Sequence, residues 1–240
     1  MIKNDRLKII TIKNASAQWH CSSVRNIFLK IVDLKLQGYS SEYPPTALAV
    51  DTTDFIASHV LIAQEEEDGD LSLLMGYKWV TSDLCSHYKI DFPPLAAAKS
   101  ACASRHEKRL RQLLSDYERK GKRVGYIGSW TSRPDVRADR DAARHLVQIA
   151  IGMHARFAQD HAFDGCIALG VPRLKTERIE ASAGYELLTD EEGPLPPFPL
   201  GNLAGEPVIL MHLQEHSATA QSLANEHESL WRQRLSLEQE

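Results

Sequence analysis

The sequence predicts an α/β domain, and two features of the 240-residue chain lead to this assignment. HVLIAQ (59–64) and LSLLMGYKWVTSDL (71–84) are typical of two strands that form a hairpin around the turn EEEDGD. Further along, residues 124–188 follow the order strand, helix, strand, helix, strand. Alternation of this kind places helices against a central sheet.

The first forty-five residues predict a strand and then a helix. RLKIITI (6–12) is typical of a short strand. A helix is expected over about 16–37, ended by Gly38, because apolar residues recur there three and four apart: Val24, Ile27, Phe28, Ile31 and Leu34. YPP (43–45) and DTTD (51–54) are expected to be loops.

A basic helix is expected over about 95–120, after the phrase FPPL. One side of it is apolar, whereas residues 105–123 contain eight lysines and arginines against three acidic residues. A solvated helix face explains such a surface by default. The charge asymmetry also suits a docking surface for an acidic partner, so both interpretations stay open.

The second half of the chain supplies the other elements. We expect a strand at 124–132, a polar turn at 133–141, a helix at about 141–161 and a short helix at about 174–183. The strand at 164–171 is almost wholly apolar, which predicts burial on both faces. Residues 193–207 are expected to be irregular, and 207–214 to form a final strand.

The domain organisation follows from these elements. Residues 1–214 are predicted to form one domain, and 215–240 a polar, helical tail that either packs on the domain or frays.

Composition excludes several functional classes. The formal net charge of −4 argues against nucleic-acid binding through overall basicity. There is no apolar stretch of the roughly 20 residues that cross a bilayer, and no signal peptide is recognisable, so a cytoplasmic protein is expected. The four cysteines form no CxxC pair and are expected to be reduced thiols. His154 and His161 are two helical turns apart, about 10.5 Å, so no metal is expected.

Two segments and the element order resemble the GNAT acyltransferases over about residues 6–214. RPDVRADRDAARHL (133–146) is similar to the family's phosphate loop, and KTERIEASAGYELL (175–188) to its helix ending in Gly-Tyr. Residues 51–94, with His59-Val60 opening a strand, look nearer the acyl-homoserine-lactone and N-acyl amino acid synthases. The resemblance implies a central mixed, mostly antiparallel sheet flanked by helices. The basic helix (about 95–120) and the C-terminal tail are additions to it.

The resemblance also implies a site for the phosphates of a thioester donor. Its residues are those of the loop and of the first turn of the next helix: Arg137, Ala138, Asp139, Arg140, Ala142 and Arg144. Arg140 stands where the family usually has glycine. A helix N-terminus suits an anion, but Asp139 or Asp141 would also serve merely as a helix cap.

Three residues are candidates for proton transfer. Glu180 occupies the place of the tyrosine that often acts as the family's general acid, and Tyr126 the place of a glutamate common in its relatives. His59 is a third candidate because imidazole titrates near neutrality.

The expected function is transfer of an acyl group from a pantetheine thioester to an amine of a small molecule or peptide. Both acyl-CoA and the acyl-4′-phosphopantetheine of an acyl carrier protein fit as donors, with no metal. An acidic carrier protein would dock on basic side chains of the helix, namely Arg105, Lys108, Arg109, Arg111 and Lys120. The alternative is a non-catalytic GNAT-fold binding or regulatory module.

Overall fold

A computed structural model describes residues 4–237. Residues 1–3 of the predicted domain and 238–240 of the predicted tail lie outside the described residues. The strands are, in chain order, β1 (Leu7–Ile12), β2 (Ser58–Glu65), β3 (Leu71–Thr81), β4 (Val124–Ser132), β5 (Gly165–Gly170), β6 (Glu186–Leu187), β7 (Thr189–Asp190), β8 (Gly193–Pro194), β9 (Phe198–Leu200), β10 (Glu206–Leu213) and β11 (Leu235–Leu237).

The α-helices are α1 (Ser22–Ser40), α2 (Thr52–Ile56), α3 (Ser82–His87), α4 (Pro93–Ser100), α5 (Ser104–Arg119), α6 (Pro134–Ala138), α7 (Arg140–Asp160), α8 (Thr176–Ala183), α9 (Ala218–Glu226) and α10 (Glu228–Arg232).

The main sheet has the strand order β11-β1-β2-β3-β4-β5-β10-β6, with β9 paired to β10. Its neighbours are antiparallel except for the parallel pairs β4–β5 and β1–β11. The predicted hairpin is confirmed as β2 and β3, whose register runs from Ser58↔Trp79 to Glu65↔Leu71. The result is the mixed, mostly antiparallel sheet that the sequence predicts.

One face of the sheet is covered by α7 to α10, which we call the α7 layer. An apolar stripe of α7 is buried there: Leu146, Ile149, Ala150, Met153 and Phe157 are all at most 1% exposed. They pack with residues from alternate positions of the strands, such as Val60 and Ile62 of β2. This layer holds the largest part of the core.

The opposite face is covered by two groups of helices, which together form the α1 layer. Val24, Phe28 and Ile31 of α1 pack over β1, β2 and β3. Leu95 of α4 and Leu110 of α5 pack over β5 and β10. The two groups have separate apolar clusters, and a cavity lined by the end of α1 and by α4 lies between them.

Several predicted boundaries were wrong. The helix expected over 16–37 begins at Ser22, and Gly38 lies inside it, where its lack of a side chain matters because a Cβ would overlap Thr131 Oγ1. The loop expected at 51–54 instead opens α2, with Asp51 as an N-cap in a capping box with Asp54. The helix expected over 95–120 is broken into α4 and α5 at Cys102, whose φ is 52°.

Residues 215–237 pack on the body of the protein. α9 lies against α7, and Trp231 of α10 donates a hydrogen bond from Nε1 to Asp160 Oδ2 at 2.9 Å. β11 then extends the sheet beside β1. Of the two alternatives for the tail, the structure has the packed one.

Within residues 4–237, no helix combines the length and apolar character that a membrane span requires. Cys21, Cys85, Cys102 and Cys166 are free thiols, as the sequence predicts.

Candidate functional site

A cleft opens where the parallel strands β4 and β5 part. They pair over Val124–Ile127 and Gly165–Ala168, and this pairing stops although both strands continue. Beyond that point lies a cavity of about 450 Å³. Its walls come from both strands, from the end of α1, from α4 and from residues 200–203.

The cavity receives side chains from both layers. Tyr39 of α1 and Ala97 of α4 belong to the α1 layer, whereas Glu180 comes from α8 in the α7 layer. Helices on opposite faces of a continuous sheet cannot share a cavity. The gap between β4 and β5 is what connects the two sides.

A β-bulge shapes the β4 side of the cleft. Gly76 pairs with Thr131 and Lys78 with Gly128, so Tyr77 alone lies opposite both Ser129 and Trp130. Ser129 has a φ of 54°, the left-handed conformation that non-glycine residues rarely adopt. Such a bulge bends the strand and releases a residue from regular pairing. All of residues 128–131 line the cavity.

An ion-pair cluster, buried except for Asp51, supports one wall of the cleft. Lys78 Nζ lies 2.9 Å from Asp51 Oδ1, 2.6 Å from Thr53 Oγ1 and 3.3 Å from Asp54 Oδ1. Lys35 Nζ lies 2.7 Å from the same oxygen of Asp54. Burial alone would raise the pKa of Asp54, but Lys78 and Lys35 hold it below its usual value. Lys78, Asp51 and Thr53 line the cavity, while Lys35 and Asp54 lie behind them.

His59 lies behind this wall and does not line the cleft; it borders a small adjoining cavity. Its side chain is buried, and its Nε2 is 2.7 Å from the carbonyl oxygen of Asp54. Because a carbonyl only accepts, Nε2 is the protonated nitrogen. Burial lowers the pKa of His59 to about 4, so the ring is neutral at pH 7.

Glu180 is the most perturbed acidic group in the cleft. Its Oε2 is buried and has no hydrogen-bond partner among the described residues. Burial, followed by the charge of Glu177, raises the pKa of Glu180 to about 8. Gly170 gives it room, since a Cβ at that position would come within 2.7 Å of Oε2. At neutral pH, Glu180 is therefore a protonated carboxyl beside the gap in the sheet.

Tyr126 lines the same cavity from β4. Burial raises its pKa well above 10, with smaller contributions from Tyr39 and nearby carboxylates including Glu180. The phenol is thus neutral. Of the three predicted proton-transfer residues, the structure brings Glu180 and Tyr126 together in the cleft.

The predicted phosphate loop forms α6 and the start of α7. Asp139 caps α7 with its own side chain, and its Oδ1 accepts hydrogen bonds from the backbone of Asp141 and Ala142, both at 3.1 Å. Ala138, Arg140 and Arg144 are exposed. Among the predicted phosphate-binding residues, Arg137 lines the cavity. The first turn of α7 thus has the geometry of the helix-cap alternative.

The basic helix, α5, carries less free charge than its composition suggests. Arg105 forms a two-pronged pair with Asp190 at 2.9 and 2.7 Å, and Arg109 donates to the carbonyl of Thr189 at 2.7 Å. Arg111 pairs with Glu107 one turn earlier. Lys108 and Lys120 are exposed.

Lys78 belongs to no catalytic motif, but its position in the sequence is unusual. It is the single charged residue of the strand LSLLMGYKWVT, which is otherwise largely apolar. A lysine in a buried strand needs a carboxylate partner, and the acidic DTTD segment supplies one. Within residues 4–237, no group of three or more His, Cys, Asp or Glu side chains is arranged to hold a metal ion.

Comparisons with solved structures identify the fold. A CoA-dependent acyl-homoserine lactone synthase, BjaI, with SAM and isopentyl-CoA, matches over 97% of this chain and 93% of its own, at 15% identity and a TM-score of 0.52. FeeM, an N-acyl amino acid synthase from uncultured soil microbes, matches over 87% and 92% at 11% identity, with a TM-score of 0.49. No protein-family model and no curated protein sequence matches the chain. The likeness to BjaI confirms the GNAT-like fold that the sequence resemblance predicts.

Proposed function

We propose that the chain is an N-acyltransferase that moves an acyl group from a pantetheine thioester to the amine of a small molecule or peptide. The observation that carries this proposal is the cavity at the β4–β5 gap, which holds the protonated Glu180. An opening through the sheet lets a narrow thioester arm and an amine approach each other from opposite faces.

The reaction forms a C–N bond and breaks a C–S bond. A neutral amine attacks the thioester carbonyl carbon, the thiolate leaves, and the nitrogen gives up one proton while the sulfur takes one up. An enzyme assists by positioning the two reactants and by supplying the proton.

Glu180 is suited to protonate the departing sulfur. Its pKa of about 8 keeps the carboxyl neutral at pH 7. This pKa is also close to that of a thiol, so proton transfer to the sulfur is nearly balanced. Tyr126 is a second donor in reach of the cleft, whereas the buried His59 positions Asp54 through its hydrogen bond. In this scheme His59 acts without touching the reactants.

Both donor carriers remain candidates. BjaI, which has this fold, is a CoA-dependent synthase whose structure contains isopentyl-CoA, and this supports acyl-CoA. The exposed Lys108 of α5 and Lys120, which follows that helix, favour an acidic carrier protein. Arg105, Arg109 and Arg111 have partners within the chain, so they contribute less to such docking.

The second candidate function is a non-catalytic binding module. The cap that Asp139 forms on α7 favours it, because this carboxylate takes backbone donors that would otherwise face a phosphate.

Donor titration followed by a transfer assay separates the two functions. Acyl-CoA thioesters of increasing chain length and an acyl carrier protein are titrated by calorimetry, and thiol release is then followed with a panel of amines. We expect binding and amine-dependent thiol release. Binding without release over the whole panel would support the module, and absence of binding by either donor at near-millimolar concentration would contradict the acyltransferase proposal.

The role of Glu180 gives the sharper test. Glu180→Gln should lower kcat by about 10²-fold or more, with an unchanged melting temperature. Wild-type activity should fall as pH rises through about 8, because the acid loses its proton. Glu177→Gln removes a charge that raises this pKa, so the alkaline limb should move to lower pH. An unmoved limb in Glu177→Gln, together with an active Glu180→Gln enzyme, would exclude Glu180 as the acid.

A further inference from the structure

Two arginines from separate segments converge on one carboxylate at the rim of the cleft. Arg137 of α6 places Nη1 at 2.9 Å from Glu42 Oε1. Arg173, which follows β5, places Nη1 at 3.6 Å from Glu42 Oε2. Glu42 and Arg137 both line the cavity. The carboxylate thus lies between two guanidinium groups, as an anionic ligand would.

Each arginine keeps other partners that do not involve this carboxylate. Arg137 also donates to the Gly38 carbonyl at 3.0 Å and to Ser41 Oγ at 2.6 Å. Arg173 pairs with Glu206 at 2.9 Å, donates to the Glu42 backbone carbonyl at 3.1 Å and lies over the Tyr43 ring at 5.2 Å. The two guanidinium groups therefore stay in place if the Glu42 side chain turns away.

The local charge balance favours an incoming anion. With Glu42 in place, two arginines face two carboxylates, Glu42 and Glu206. When the Glu42 side chain leaves, one positive charge is uncompensated beside the cavity. Side chains of Arg137 and Arg173 are 29% and 44% exposed, so a ligand reaches them from solvent.

We propose that Arg137 and Arg173 form a binding site for a phosphate ester of the thioester donor, and that the Glu42 carboxylate occupies this site until the donor displaces it. Guanidinium groups bind phosphate oxygens with charge-assisted, often paired hydrogen bonds. The N-terminus of α7, where the sequence resemblance places the phosphates, is already filled by Asp139. This inference rests on the proposed function, since it assumes a donor that carries a phosphate.

Calorimetry with 4′-phosphopantetheine and with pantetheine tests the site, because the two ligands differ only in the phosphate. Glu42→Gln keeps the side-chain shape but removes the competing charge. It should bind 4′-phosphopantetheine about tenfold tighter than the wild type does and pantetheine equally well. Glu107→Gln is the matched control: it makes the same charge change in an i,i+4 pair with Arg111 on α5 and should change neither affinity.

A second variant keeps the test decisive if Arg137 proves necessary for folding. Arg173→Gln, at a more exposed position, should weaken 4′-phosphopantetheine binding about tenfold and cancel the gain of Glu42→Gln. An equal affinity of wild-type protein for both ligands, or an equal gain for pantetheine in Glu42→Gln, would overturn the phosphate site while leaving the acyltransferase proposal intact. Phosphate-dependent binding without acyl transfer would support the phosphate site and contradict the acyltransferase proposal.

Discussion

Asp54 is the residue on which the buried wall of the cleft depends. It is 1% exposed and lies between the ammonium groups of Lys35 and Lys78, and its Oδ2 also accepts a hydrogen bond from the backbone of Asp51. Breaking a buried ion pair by removing one partner costs far more than the pair contributes, because an uncompensated charge is left behind. The stability of the wall therefore depends on the presence of every partner.

Asp54→Asn should lower the free energy of unfolding by about 3–5 kcal/mol, because Lys35 is left buried without its carboxylate. Urea denaturation measures the loss. Asp54 also raises the pKa of Lys35, which burial has lowered to about 8, so the variant should lower that pKa further. Asp70→Asn, at an exposed pair with Lys30, is the control and should leave the urea midpoint unchanged. Equal effects of the two substitutions would refute this account.

For single residues, the sequence predicts which side chains have suitable chemistry better than it predicts where they lie in the site. Glu180 is selected by its position relative to Gly184, and it does line the cleft. His59 is selected by its intrinsic pKa, but the ring lies behind the wall, where burial lowers its pKa to about 4. Desolvation depends on which elements cover a residue, and a single sequence does not contain that information.

Among the elements, the longer strands and the helix α7 are predictable because their apolar periodicity is strong. The short strands β8 and β9, in the segment expected to be irregular, and β11, in the tail expected to be helical, are not predicted. The boundaries of β4 at Val124–Ser132 and of α7 at Arg140–Asp160 match the expectation within a residue. The break between α4 and α5 is not predictable in this way, because the segment LAAAKSACAS (95–104) has good helix formers on both sides of Cys102, where the break occurs. Cys102 adopts a positive φ there, which its residue type does not favour.

The helices α7 and α9 are so close that adding one methyl group between them should be measurable. Gly152 faces the backbone of Leu223, where an added Cβ would lie 2.7 Å from the carbonyl oxygen. Gly152→Ala gains about 1 kcal/mol in helix propensity but must push α9 away, so we expect a net loss of about 1–3 kcal/mol in unfolding free energy.

Thermal and urea unfolding of Gly152→Ala provide the measurement. Gly201→Ala is a matched control, since its Cβ would meet only Ser100 Oγ at 3.7 Å, an ordinary contact. A Gly152→Ala protein more stable than the wild type would mean that α9 is loosely held and that helix propensity dominates.

For the whole molecule, a set of neutral imidazoles links stability to pH; His59, His154 and His212 are buried, and His216 is half-buried. Burial lowers the pKa of His59, His212 and His216 to about 4 and that of His154 well below 6.5. His154 is hydrogen-bonded on both nitrogens, to His216 at 2.9 Å and to Tyr185 at 2.8 Å. Glu180 has the opposite linkage, since its pKa is raised from 4.5 to about 8.

The unfolding free energy should therefore fall as pH drops from 7.5 to 5. Below pH 6.5 the unfolded chain protonates these four histidines while the folded chain does not, so acid favours unfolding. Glu180 has the opposite effect, because the folded state holds a proton on this carboxyl that the unfolded chain has released. At about 1.4 kcal/mol per proton and pH unit, the net loss should reach a few kcal/mol. Urea midpoints at pH 7.5, 6 and 5 measure it, and a midpoint that stays constant or rises towards pH 5 would contradict the linkage.

The pairing of Leu235–Leu237 with Ile10–Ile12 also bears on self-association through this edge of the sheet. β1 has the sequence LKIITI, which combines β-branched residues with little charge, and such strands readily recruit copies of themselves when their outer backbone groups are free. Leu235–Leu237 cover those groups along Ile10–Ile12. The outermost strand is then only three residues long and largely exposed, too short to template a second molecule. Loss of this strand would leave the lining of the cleft unchanged but expose an aggregation-prone edge.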